Sequence, residues 1–283
     1  MLRKLALAAS CLMPFLVSPA HAVVFASAGS GAYASSVRLN VAGAVVADAR
    51  VAPVSGTSAP AYDRTGGVAS VNQNFTLTSG ILGTATQGLQ SGVVTTRAQS
   101  GAPGQPSATA TATLANVTDT LASKLIADLI PTVALGLTAD SISSTTTAGI
   151  DANGGLFGSG SSSIANLGVT GTALGVLNIN GSLYSNPAAN AVILSLAGLV
   201  VTLNEQLRDQ TDTGLFLQTN AVHIALNNYS LAGKLVSGDV ILGHSEAQVA
   251  GAVPEPATWA MMLVGFGAVG FTMRRRRPAL AFA

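Results

Sequence analysis

The chain has 283 residues, of which 48% are hydrophobic, 5% aromatic and only 9% charged, with 31 glycines and a formal net charge of +1. An ordinary soluble domain carries about 25% charged residues, so this composition excludes a nucleic-acid binder working through a basic surface and a charge-rich disordered chain. It also argues against a cytosolic αβ enzyme, whose helices need charged outer faces.

Charge is unevenly spread: residues 1–22 sum to +2, residues 23–253 to −4 and residues 254–283 to +3. At the N-terminus Arg3 and Lys4 precede an apolar run from Leu5 to Val17, and Ala20-His21-Ala22 puts small residues at the two positions a signal peptidase accommodates. The run has 13 residues, short of the roughly 20 that span a bilayer. Residues 1–22 therefore read as a secretory signal peptide, exported by Sec-type machinery and cut by signal peptidase after Ala22. Cys11 leaves with it, so the mature chain offers no disulfide, thiolate metal site or cysteine nucleophile.

Residues 23–253 read as one all-β domain. Val37-Arg38-Leu39-Asn40-Val41, Val71 to Thr78 and Val222 to Leu226 alternate apolar and polar side chains. Turn signals recur at Thr65-Gly66-Gly67, Asn153-Gly154-Gly155, Asn180-Gly181 and Gly238-Asp239. Many short strands with glycine-rich turns predict a sandwich or a flattened β-solenoid, and the lack of a fixed repeat period favours the sandwich. Gly101 to Pro106 reads as an exposed loop. Asp119 to Ile130 places Leu121, Leu125, Ile126, Leu129 and Ile130 on one helical face between Thr118 and Pro131, which predicts one short amphipathic helix. Ala191 to Leu203 is apolar but interrupted by Gly198, and reads as two buried strands around that glycine.

Asp140-Ser141-Ile142-Ser143-Ser144-Thr145, Ser163-Ile164-Ala165-Asn166-Leu167, Val201-Thr202-Leu203-Asn204-Glu205-Gln206, Thr219-Asn220-Ala221-Val222-His223 and Gly238 to Ala247 follow one another in the chain. Together these blocks resemble the choice-of-anchor P family over roughly residues 30 to 250. That family consists of secreted bacterial proteins that share an ectodomain and differ in the C-terminal anchor. The resemblance implies a displayed ectodomain and brings no biochemical activity with it.

Catalysis needs a nucleophile, a base and an orienting group within reach of one another. The mature histidines are His223 and His244, and the acids near them in sequence are Glu205, Asp209, Asp212 and Glu246. His244 and Glu246 are two apart and share a face on a strand, while His223 alternates out of phase with Val222, Ile224 and Leu226. No zinc-protease or nucleophile-elbow motif is present. The expectation is no enzyme, no catalytic residue, no metal and no cofactor. Asp151-Ala152-Asn153-Gly154 opens like a calcium loop but lacks the bidentate glutamate, and an Asn-Gly turn accounts for it. Asp209 to Gly214 reads as a second turn. Thr109, Thr111 and Thr113 form a row on one face of a strand, ordinarily the solvated one. Asn74, Asn116, Asn180 and Asn228 begin Asn-x-Ser/Thr sequons of little weight in a bacterial-looking chain.

The tail, residues 254–283, reads Pro254-Glu255-Pro256-Ala257-Thr258-Trp259-Ala260, continues apolar to Met273 and stops at Arg274, Arg275, Arg276 and Arg277. Ala257 to Met273 would rise about 25 Å as a helix, slightly under a hydrocarbon core of about 30 Å. Trp259 suits the outer interface, and the four arginines set that end in the cytoplasm. The expectation is a single transmembrane helix with the β domain outside. Gly265-Phe266-Gly267-Ala268-Val269-Gly270 matches the dinucleotide fingerprint only by letter, with no strand before it.

Pro-Glu-Pro, a short apolar helix and an arginine cluster, in that order, resemble the PEP-CTERM sorting signal, and Trp259-Ala260 makes it similar to the PEPxxWA variant. The resemblance implies recognition by an exosortase, an integral-membrane enzyme that cleaves near Pro254 to Pro256 and passes the protein toward the cell surface. It also implies association with exopolysaccharide, because exosortase systems accompany its production. Two prolines hold the motif extended and open to an enzyme in the bilayer. The expected protein is a non-enzymatic surface or matrix component, with a secreted glycan- or calcium-binding module second and an envelope enzyme with a His/Glu site third.

Overall fold

The computed structural model describes residues 27–58, 61–78, 83–101, 106–125, 130–153, 155–173, 177–184, 186–196, 198–231, 233–251 and 256–275. The described residues form sixteen strands and one helix: β1 (Ser27–Val41), β2 (Ala44–Val51), β3 (Val54–Thr57), β4 (Asp63–Val68), β5 (Val71–Thr78), β6 (Gly83–Ser91), β7 (Val94–Ser100), β8 (Ser107–Leu125), β9 (Ile130–Ile150), β10 (Leu156–Ala165), β11 (Leu167–Ala173), β12 (Leu177–Tyr184), β13 (Ala191–Leu196), β14 (Leu199–Gln210), β15 (Gly214–Leu231), β16 (Lys234–Ala250) and α1 (Pro256–Arg275). One sheet runs β13-β14-β15-β16-β1-β2, with β3 also on β1. The second is built on the long β8-β9 pair, which carries β6, β5, β11 and β12 toward one end and β7, β4 and β10 toward the other. All pairings are antiparallel, and neither sheet closes into a barrel.

The sheets lie face to face, β8 and β9 against β1, β15 and β16. Leu114, Leu137, Ile142, Leu199, Leu203, Val222 and Leu242 meet between them in the main core. Toward the end where β1 starts and β16 finishes, the filling thins to Ala28, Ala108, Ala148 and Ala247 with Leu215, Leu217 and Val249. There Thr146 Oγ1 donates to Thr219 Oγ1 at 2.8 Å within a buried hydroxyl cluster that includes Ser245. A Cβ on Gly160 would collide with Thr219, so the sheets approach closely here because the sequence supplies small side chains.

The long strands change phase midway. In β8 the inward residues are Ala108, Ala110, Ala112 and Leu114, then Val117, Asp119 and Leu121. In β15 they are Leu215, Leu217 and Thr219, then Val222, Ile224 and Leu226. The breaks coincide with left-handed residues: Asn116 (φ 50°), Asn166 (φ 53°), Asn204 (φ 48°) and Gly243 (φ 65°). In the first sheet one ladder pair is skipped at Asn204, Ala221, Gly243 and Ala34, a line that crosses four strands.

Several expectations change here. The amphipathic helix over 119–130 is absent: Asp119 to Leu125 continue β8, Pro131 lies in β9, and residues 126–129 fall outside the described set. Leucines four apart share a face in a strand as well as in a helix, and β pairing to β6 and β9 decides the matter. Gly198 (φ 83°) does turn β13 into β14, but β13 is a half-exposed edge strand rather than a buried one. The Gly101 to Pro106 loop joins the paired strands β7 and β8, and residues 102–105 of it lie outside the described set.

The tail helix α1 has 20 residues. Among the described residues, however, no helix is long and apolar enough to cross a membrane. Gly265, Gly267, Gly270 and Thr272 interrupt its apolar side chains, and the transmembrane expectation is reduced to an exposed apolar tail helix. Met261, Leu263, Val264, Phe266, Val269 and Phe271 are all exposed. At 100° per residue they surround the axis, so α1 has no polar face to turn toward water.

Candidate functional site

Two places concentrate chemistry: a polar stripe on the outer face of the first sheet, and the tail. The stripe depends on the phase break. Because the ladder skips at Ala221, Asn220 and His223 of β15 both point outward although they are three apart. His223 donates from Nδ1 to Glu205 Oε1 at 2.9 Å and from Nε2 to Asp239 Oδ1 at 2.8 Å. Asn220 Nδ2 donates to Glu205 Oε2 at 2.6 Å, and Asn220 Oδ1 accepts from His244 Nδ1 at 2.7 Å. His244 Nε2 lies 3.4 Å from Glu246 Oε2. The Tyr33 ring stacks on His244 at 4.0 Å, and the Arg50 guanidinium stands 5.0 Å from the Tyr33 ring centre.

The charges follow from this geometry. Burial works to lower the His223 pKa, but the hydrogen bonds to Asp239 and Glu205 outweigh it and raise the imidazole to about 9. His223 is therefore an imidazolium at neutral pH, with both ring nitrogens spent on carboxylates. The His223 hydrogen bond holds Glu205 below its ordinary value, and the His244 bond does the same for Glu246, each against burial. Burial pushes Tyr33 up to about 12, so its hydroxyl stays protonated. The result is a network held by hydrogen bonds, in which the His223 cation is shared by two carboxylates. Among the described residues no group of three or more His, Cys, Asp or Glu side chains is placed to hold a metal ion.

Of the residues singled out from sequence, Glu205, His223, His244 and Glu246 come together. His244 and Glu246 do share a face; the two histidines do not touch and are linked through Asn220. Asp239, Asn220, Tyr33 and Arg50 escaped the reading because they reach the stripe from strands whose register sequence does not reveal. Asp209 sits at the far end of β14 opposite Phe216, and Asp212 lies in the β14–β15 turn. Asp151 Oδ1 accepts from the Asn153 and Gly155 amides, both at 2.8 Å, which makes this segment a turn. Thr109, Thr111 and Thr113 stand beside Thr147, Thr145 and Ser143 on the outer face of the second sheet, with Thr109 and Thr147 hydrogen-bonded at 3.1 Å.

A second ionisable group was not anticipated. Asp119, turned inward by the break at Asn116, is almost wholly buried, and Gln87 Nε2 donates to its Oδ1 at 2.5 Å. Burial pushes its pKa up to about 7, against the Gln87 bond, while Gln87 Oε1 has no partner.

In the tail, Trp259 and Ala260 fall in the first turns of α1, and Arg274 and Arg275 close it. Pro256 opens it, as suits a residue without an N–H at a helix start. Pro254, Glu255, Arg276, Arg277 and the signal-cleavage residues Ala20 and Ala22 lie outside the described residues. β16 ends at Ala250, and Gly251 N, three positions before Pro254, donates to Thr213 O at 2.5 Å. Residues 252–277 match the PEP-CTERM protein-sorting motif. The match covers the tail alone, and the choice-of-anchor P family is not matched. No curated protein and no solved structure matches the chain. The motif makes this an exosortase-targeted, exported protein that associates with a membrane.

Proposed function

We propose that the protein is a structural component of the bacterial cell surface or extracellular matrix, sorted and processed at its C-terminus by an exosortase and associated with envelope or exopolysaccharide. The observation that carries this reading is the sorting motif over residues 252–277. Residues 1–22 act as a signal peptide cut after Ala22. Met261, Leu263, Phe266 and Phe271 of the helix that Pro256 opens are exposed, which suits a segment held at the membrane until the exosortase acts. Arg274 to Arg277 stop it on the cytoplasmic side. The likeness to the choice-of-anchor P family supports a displayed ectodomain without catalysis, in line with a histidine stripe whose nitrogens are already engaged.

Replacing Pro254 and Pro256 together by alanine tests this. Export continues and the chain stays with the membrane fraction at its unprocessed length, whereas the natural chain is shortened. Equal processing of both chains contradicts the sorting reading.

A further inference from the structure

Gly29, Gly31 and Tyr33 alternate along β1 and share its outer face. Gly29 pairs with Gln248 on one side and Thr57 on the other, and Gly31 likewise with Glu246 and Ser55. Phe216 of β15 extends the first row beyond Gln248. Glycine inside a strand sacrifices packing and backbone entropy, and it commonly marks a close approach by another group. The side chains of β16 lean across these glycines toward the β3 edge: a Cβ on Gly31 would stand 2.7 Å from Glu246 Oε1 and one on Gly29 3.0 Å from Gln248 Nε2, so the missing side chains let both polar groups reach a trough beside β3. A cavity of about 270 Å³ lies there, lined by Gly29, Ser55, Arg64, Phe216, Glu246 and Gln248 among others.

The wall chemistry narrows the ligand. Arg64 opposes a metal ion or an ammonium group, and Glu246 opposes an anion. Arg64 is anchored by Nη1 donating to Ser55 O at 2.9 Å, and Glu246 is positioned by His244, itself held by Tyr33 and Asn220. A neutral ligand rich in groups that donate and accept satisfies both: vicinal hydroxyls donate hydrogen bonds to a carboxylate and accept them from a guanidinium or an amide. Phe216 offers an apolar ring at the rim for the C–H face of such a ligand. The volume lies just under the roughly 300–1,000 Å³ of drug-sized ligand sites, which suits one ring and not a chain.

We propose that the trough over Gly29 binds a single neutral sugar ring, with Glu246, Gln248 and Arg64 holding its hydroxyls and Phe216 beneath its apolar face. The trough belongs to the β domain, so sugar binding and tail processing succeed or fail independently.

The test is ligand-observed NMR on the purified full chain, using glucose, galactose, mannose and N-acetylglucosamine as probes, with glucuronate and calcium chloride as charged comparisons. At least one neutral sugar saturates a site with a dissociation constant on the order of 1 mM. Gly29→Leu, which pushes the Gln248 side chain off Gly29 and into the trough, abolishes saturation. Glu246→Gln weakens it about tenfold or more. Phe216→Ala, at the half-buried rim, weakens it with the circular dichroism of the fold unchanged, which separates site loss from misfolding. Failure of all four neutral sugars to saturate, saturation that survives Gly29→Leu, or tighter binding of glucuronate or calcium overturns the proposal.

Discussion

Asp119 and His223 make opposite use of charge. Asp119 shares the interior with Gln87, and a protonated carboxyl suits that pairing: its O–H can donate to Gln87 Oε1 while Gln87 Nε2 donates back. Its folded pKa of about 7 lies above the roughly 3.9 of an unfolded aspartate. The stability it contributes is therefore greatest below about pH 4, falls as pH rises to about 7 and is level beyond. Asp119→Asn removes that dependence. Urea unfolding of the variant and the natural chain should diverge in the variant's favour by roughly 2–4 kcal/mol between about pH 4 and pH 8, and parallel curves would exclude a buried titrating carboxyl. His223 has a raised pKa of about 9, so its contribution is complete below about 6.5 and is lost as pH rises through 9. His223→Gln leaves Glu205 and Asp239 without their shared cation, at a cost of about 1–3 kcal/mol near neutral pH. The deficit narrows above pH 9, a window separate from that of Asp119.

At the scale of elements, the phase break explains what the sequence could and could not disclose. Short alternations such as Val37 to Val41, Val71 to Thr78 and Val222 to Leu226 were legible because each lies on one side of a break. The longer strands were not, because each joins two alternations of opposite phase and neither half looks like part of a long strand. The same effect disguised Asp119 to Leu125 as helix and hid the meeting of Asn220 and His223 on Glu205. Nothing local distinguishes a left-handed Asn204 or Asn116 from an ordinary turn asparagine; the pairing partners on both sides decide it. Gly243 is the position where this is most exacting. At φ 65° a Cβ would stand 3.1 Å from both Ala221 Cβ and Ile142 Cγ2. Gly243→Ala should cost about 1–3 kcal/mol in urea unfolding. Gly265→Ala in α1, where a Cβ meets nothing, should cost nothing and favour the helix by up to about 1 kcal/mol. Equal effects at the two sites would contradict the role given to the break.

At the scale of the whole molecule, β1 and β16 are neighbours from Ser27↔Ala250 onward, so the first strand begins and the last strand finishes at the same edge of the sandwich. The 210–214 turn, the 101–106 loop and the Asp151 turn share that edge, where the core is thin and built of alanine, threonine and glycine. Three residues separate Ala250 from Pro254 in the sequence, a span of about 10 Å at full extension. Charge is divided along the chain: residues 1–22 sum to +2, residues 23–253 to −4 and residues 254–283 to +3. The most direct measurement is the intact mass of the exported protein from cells with and without their exosortase. The account predicts a chain beginning at Val23 that ends near Pro254 to Pro256 when the enzyme is present, and one that keeps Arg274 to Arg277 when it is absent. The same mass from both cells would contradict it.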